Sequence, residues 1–147
     1  MNATITLQEG LHFTAMPDSG YPVQLDSSAF VGEPSRGASP MELLLISLAG
    51  CTAMDVISIL RKKRQNVTGF EIRVHGDRSA DHPKVFTDFV LEYIVRGIGI
   101  DPVAVERSIY LSTETYCSVH AMLEKSATIR TTYTIVEEQE QGAVASD

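Results

Sequence analysis

Apolar and polar residues alternate over the first thirty positions. In "ATITLQ", Ile5 and Leu7 are separated by threonines; "LHFTAM" continues the pattern, and "MPDSGYPVQL" places turn residues before another extended run. A period of two sends successive side chains to opposite faces, so residues 3–30 are predicted as strands joined by turns. The alternation stops at "VGEPSRGASP", whose prolines and glycines read as a loop.

Beyond that loop the period changes. Ser39 is a favoured N-cap, Pro40 suits the first helical position, and Glu42 falls where a capping box needs its carboxylate. Met41, Leu44, Leu45, Leu48, Thr52, Val56, Ile59 and Leu60 form one stripe of the predicted helix, while Leu43, Ile46, Ala49, Ala53, Met54 and Ile57 fill much of the opposite side. A helix that is apolar nearly all round must be enclosed nearly all round. One chain of this size supplies too little protein for that, so a second subunit is expected to wrap it. The basic run "RKKRQ" falls where this helix would end, and cations there complement the helix dipole.

After "NVTG", Phe70, Ile72 and Val74 alternate with Glu71, Arg73 and His75. Farther on, Phe89, Leu91, Tyr93 and Val95 alternate with Val90, Glu92, Ile94 and Arg96. These are two strands joined by the polar loop "GDRSADHPK". Asp101 then caps and Pro102 opens a second helix with Val105 and Ile109 inward. A short helical piece over residues 118–125 leads into a last strand, "ATIRTTYTIV". Residues 1–136 are expected to form one domain, and the polar ending 137–147 a flexible acidic tail. Strands, long helix, strands, helix, strand is an α+β order rather than a parallel βαβ series.

The length of 147 residues suits one ordinary domain. With 19 acidic against 12 basic side chains the net charge is -7, which disfavours nucleic acid and anionic membrane as partners. The run Met41–Leu60 is nearly long enough to span a bilayer, but Glu42 and Asp55 lie within it and Gly50 interrupts it; a core helix is expected. The N-terminus lacks the pattern of a secretion signal, so the expected location is the cytoplasm.

Two cysteines are present, Cys51 and Cys117, and in a reducing compartment such a pair is seldom a structural bridge. Cys51 lies inside "LLLISLAGCTAMD". A thiol on a buried helix commonly just fills space; a reactive one needs cationic or hydrogen-bonding help, for which Arg36 is the nearest candidate in sequence that keeps its charge. Glu42 precedes Cys51 by about two and a half turns and lies on a different face. It either holds Arg36 as an ion pair or serves only the capping box. Asp55, one turn after Cys51, is expected to pair with another subunit or with the basic run. Cys117 and His120 share a helical face. A zinc site would need both of them, Cys51 and a fourth ligand from afar, and a Cys–His nucleophile pair is a further reading. More economical is a two-thiol cycle, in which one thiolate becomes a sulfenic acid and the other condenses with it to a disulfide. His12, His75 and His82 are expected to be solvated.

"ASPMELLLISLAGCTAMD", followed by two strands, a helix, "TYCSVHAMLEKS" and a terminal strand, resembles the OsmC/Ohr family, on its YhfA-like branch. That resemblance implies an OsmC-like fold of antiparallel sheets wrapped around a long central helix, in an intertwined homodimer. It implies reduction of organic hydroperoxides, with Cys51 the attacking thiol and Cys117 the resolving one, and a dithiol reductant such as a lipoyl group. No cofactor or metal belongs to that scheme. In the better-known members an arginine and a glutamate assist; their nearest counterparts here are Arg36, in a loop whose length differs, and Glu42. The glutamate there follows the helix-starting proline directly, whereas here Met41 holds that place, a rotation of about 100°. The competing expectation is a non-catalytic, stress-associated dimer that binds an apolar ligand in its groove.

Overall fold

The alternating N-terminal segment forms three strands, β1 (Ala3–Glu9), β2 (His12–Pro17) and β3 (Val23–Leu25), in an antiparallel sheet of that order. They belong to a first compact unit, Met1–Leu44. The computed structural model describes residues 1–139. After β3 comes a 3-10 turn, Ser28–Val31, that the sequence pattern did not disclose. It is built on Asp26, whose buried carboxylate accepts the Ser28 hydroxyl, the Ser28 N–H at 2.7 Å and the Arg36 N–H at 2.9 Å. The Ser28 hydroxyl is the main reason that its pKa is held down to about 2. The loop returns to β3 through an Ala38 N–H bond to the Gln24 carbonyl at 3.2 Å. Gly37 passes so close that a Cβ there would lie 2.5 Å from the Gln24 carbonyl carbon, which leaves glycine as the residue that fits.

Helix α1 (Pro40–Lys62) starts in the first unit and continues through the second, which begins at Leu45. Its start is a reciprocal capping box: Glu42 Oε2 accepts the Ser39 N–H at 2.6 Å, and Ser39 Oγ accepts the Glu42 N–H at 3.3 Å. Arg61 and Lys62 occupy its last turn, as the charge pattern suggested.

The second unit holds β4 (Asn66–Arg78), β5 (Phe86–Ile98) and β6 (Thr128–Glu137), in the order β4-β5-β6. The fold class is α+β, as expected, but the expected antiparallel pairing holds only within the first sheet and for β4 with β5. β6 lies parallel to β5. The cause is the connection between them, which runs through α2 (Pro102–Leu111), a π-helical turn (Ser112–Tyr116) and α3 (Ser118–Leu123). A crossover of that length returns the chain to the same end of the sheet, which a hairpin cannot do. Asp101 caps α2 by accepting the Val103 N–H, and Pro102 occupies its first turn. Of the expected tail, residues 140–147 lie outside the described residues. Glu137 closes β6, and Glu138 donates its N–H to the Gly97 carbonyl at 2.7 Å.

β5 is the middle strand and, among the described residues, supplies more of the buried apolar side chains than any other element. Phe89, Leu91, Tyr93 and Val95 on one of its faces are buried, as are Leu48, Val56 and Leu60 of α1 and Val105 and Ile109 of α2. α1 itself is only partly covered. By length and composition it is apolar enough to cross a membrane, yet 22% of its most apolar window is buried. Ile46 and Met54 are 58% and 69% exposed.

Gly97 marks the tightest approach in this sheet. A Cβ there would collide with the Asn66 carbonyl oxygen and lie 2.6 Å from Ile100 Cδ1. Gly97→Ala is therefore expected to cost about 1–3 kcal/mol, read as a lower urea midpoint with an unchanged slope.

Candidate active site

The buried stripe of α1 consists of Leu48, Thr52, Val56 and Leu60, and only Thr52 among them is polar. A hydroxyl in such a place requires partners. Thr52 Oγ1 lies 2.8 Å from Tyr93 Oη on β5 and 2.9 Å from Ser112 Oγ at the start of the π-helical turn. Ser112 Oγ in turn donates to Asp55 Oδ2 at 3.0 Å. Each hydroxyl has one proton, so the directions follow from the carboxylate end. Ser112 gives its proton to Asp55 and must accept from Thr52, which must then accept from Tyr93. The row runs Tyr93 to Thr52 to Ser112 to Asp55, each bond polarising the next. Burial pushes the Tyr93 phenol up to about 12, so it remains a donor at any physiological pH.

The π-helical turn positions the second thiol. The Cys117 N–H closes the turn on the Ser112 carbonyl at 2.8 Å, and Cys117 leaves it in an extended conformation, φ -75° and ψ 98°. Cys117 then caps α3, its Sγ accepting the His120 N–H at 3.4 Å. Ser112 and Cys117, the two ends of one turn, thus both serve the site.

Both cysteines are free, Cys51 half-buried and Cys117 buried. Their sulfur atoms and a carboxylate oxygen of Asp55 all lie within 4.8 Å of one another. Burial, and next the adjoining Cys51, push the Cys117 thiol up to about 12, against the opposing bond from the His120 N–H.

The sequence anticipated the two sulfurs but not the company they keep. Asp55, expected to face another subunit or the basic run, instead receives Ser112 beside both thiols. Its spacing from Cys51, one helical turn, is the signal that placed it there. Thr52, Ser112 and Tyr93 were also missed, although a threonine in an otherwise apolar stripe marked where a polar link enters the core. His120 meets Cys117 through its backbone; its buried Nδ1 has no hydrogen-bond partner among the described residues, and Glu124 Oε2 stands 3.6 Å away. His75 is exposed and bonded to Asp77, whereas His12 is half-buried and bonded to Gln24.

Arg36 and Glu42 lie in the first unit and do not pair with each other. Arg36 Nη1 is 3.0 Å from Glu9 Oε2, and its Nε is 3.7 Å from Asp26 Oδ2. Glu42 turns its carboxylate back to the Ser39 N–H, which lowers its pKa. Of the alternatives open for Glu42, the capping box is the one its hydrogen bonds form.

The profile of the family described as OsmC-like protein matches residues 32–132. Over 136 residues the chain is 38% identical to protein YhfA of Escherichia coli K12, covering 92% of this chain and 98% of that one. A hypothetical protein from Aquifex aeolicus VF5 superposes with a TM-score of 0.83 at 30% identity, covering 94% of this chain and 97% of that chain. The organic hydroperoxide resistance protein OhrB of Bacillus subtilis superposes with a TM-score of 0.61 at 14% identity, covering 91% and 98%, a likeness of fold alone.

Thr52→Val keeps the shape of the side chain but removes the middle hydroxyl of the row, leaving Tyr93 and Ser112 each short of a partner. The expected loss is about 1–3 kcal/mol for each buried group left unsatisfied, measured by denaturant unfolding of the reduced protein.

Proposed function

The chain belongs to the OsmC-like protein family, and from that premise we propose that it is a thiol-dependent peroxidase reducing organic hydroperoxides through Cys51 and Cys117. The observation that carries this reading is the meeting, within 4.8 Å, of one carboxylate and two free thiols that lie far apart in the chain. Cys51, the more accessible sulfur, is the attacking one. Its thiolate takes the terminal peroxide oxygen; an S–O bond forms, the O–O bond breaks, and the alkoxide leaves as an alcohol after taking up a proton. Cys117 then attacks the sulfenic sulfur, the disulfide forms, and hydroxide departs as water. Burial keeps Cys117 protonated near neutral pH, so this second step needs a proton acceptor. Asp55, within reach of both sulfurs, takes that proton and delivers it to the departing hydroxide. An external dithiol, of the lipoyl type in this proposal, returns two electrons and two protons and restores both thiols.

Arg36 and Glu42 are the helpers that the family resemblance nominates. Their hydrogen bonds and ion pairs are already used on Glu9, Asp26 and Ser39. In this proposal they hold the loop and the start of α1, and Asp55 supplies the carboxylate at the sulfurs. Helical spacing puts the exposed Met54 on the same side of α1 as Cys51, an apolar approach that suits a hydrocarbon tail better than hydrogen peroxide.

A homodimer is the second part of the proposal. Ile46 and Met54 of α1 and Ile5 and Leu7 of β1 are all more than half exposed in the single chain. Such apolar surface calls for a cover, and a second copy of the chain is the cover proposed. Reduced thiols and a dithiol reductant fit a cytoplasmic protein.

Intact-mass spectrometry after substoichiometric cumene hydroperoxide is expected to show the loss of two hydrogens in the wild type. Cys117→Ser should stop at the gain of one oxygen, and Cys51→Ser should show neither change. Asp55→Asn should slow disulfide formation at least about a hundredfold. An unchanged wild-type mass would favour the apolar-ligand reading instead.

Sedimentation of the wild type is expected to give a dimer, and Ile46→Asp or Met54→Asp to weaken it. A wild-type monomer at micromolar concentration would refute the paired-chain reading.

A further inference from the structure

We propose that reduced Cys51, reduced Cys117 and Asp55 form a three-donor site for a thiophilic divalent ion such as Zn²⁺, and that the bound ion blocks the reactivity of both thiols. The bearing of this site on the peroxide cycle rests on the reading above; the site itself rests on its three donors alone.

Two sulfurs and one carboxylate oxygen form a donor set for zinc, and a poor one for Mg²⁺ or Ca²⁺, which require oxygen cages. Bonds of about 2.3 Å to sulfur and 2.0–2.2 Å to oxygen bring the donors of a tetrahedral ion to roughly 3.5–3.8 Å from one another. Donors within 4.8 Å of one another are already close to that spacing. The outer contacts are in place as well. Ser112, backed by Thr52 and Tyr93, donates to Asp55 Oδ2 and orients the carboxylate, and the His120 N–H points to Cys117 Sγ. The half-exposed position of Cys51 leaves the fourth place to water. His120, the ligand that the sequence suggested, does not join the group; Asp55 takes its place.

Binding transfers the two thiol protons to solvent and changes no oxidation state. A coordinated sulfur has committed the lone pair with which it would attack, so the ion and any electrophile compete for it. Disulfide formation removes both sulfur donors together, which makes the site specific to the reduced protein.

The test is anaerobic titration of the reduced protein with Co²⁺, read by its thiolate-to-cobalt charge-transfer absorption, followed by displacement with Zn²⁺. Expected is about one equivalent per chain, loss of the band in Cys51→Ser and Cys117→Ser, and affinity weakened at least about tenfold in Asp55→Asn. Prior oxidation of the wild type with diamide should abolish the band, and saturating Zn²⁺ should block diamide from forming the disulfide. Absence of the band, its survival after oxidation, equal affinity in Asp55→Asn, or unimpeded oxidation under saturating Zn²⁺ would each overturn the proposal. None of these readouts needs peroxide turnover, so a protein that binds the ion but reduces no peroxide would refute the peroxidase reading and leave the metal site standing.

Discussion

A hydroxyl group has a single proton to give, and in the second unit three hydroxyls in a row give theirs in one direction. Tyr93, Thr52 and Ser112 pass the hydrogen-bond polarity from the middle strand through α1 to the π-helical turn, and Asp55 receives it. Reversing any link would strand a donor against a donor within the core. The chain of bonds therefore decides how α1, β5 and the segment before α3 can be arranged. Because Cys51 and Cys117 lie next to residues of that row, the constraint that orders the core also sets the distance between the sulfurs. Packing and chemistry are here consequences of one set of contacts.

The two thiols occupy unequal environments. Cys117 is enclosed and capped by a backbone N–H, while Cys51 retains access to solvent. In the proposed cycle this asymmetry favours Cys51 as the attacking thiol and Cys117 as the resolving one. In the same proposal the carboxylate has a use, since a thiol held protonated by burial gains from a base that can collect its proton when it reacts.

What could be read in the sequence was whatever has a period or a local signature. The long helix and its capping box were visible in Ser39, Pro40 and Glu42, and the second helix in Asp101 and Pro102. The strands were visible in the alternation of Phe70 to Val74 and Phe89 to Val95. The parallel placement of β6 was not, because a period of two says which faces are buried but nothing of strand direction. The 3-10 turn at Ser28 depends on a carboxylate that reaches forward to Arg36, a contact with no repeating pattern. In the site, the cysteines were evident by residue type, whereas Asp55 was assigned elsewhere although it stands one helical turn from Cys51. Ser112 and Tyr93 came from distant elements, and only folded coordinates could bring them in.

The π-helical turn carries one more residue per turn than an α-helix would, and Ser112 and Cys117 are the two ends of its closing bond. The count of residues between them thus sets the winding of the turn, apart from their identity. Loss of one would replace the closing bond over five residues by one over four and wind the segment back toward an α-helix. Substitutions at the intervening positions leave this count untouched, whereas a single-codon deletion changes it. The segment is thus a place where the genetic length of the chain, more than its spelling, holds the chemistry together.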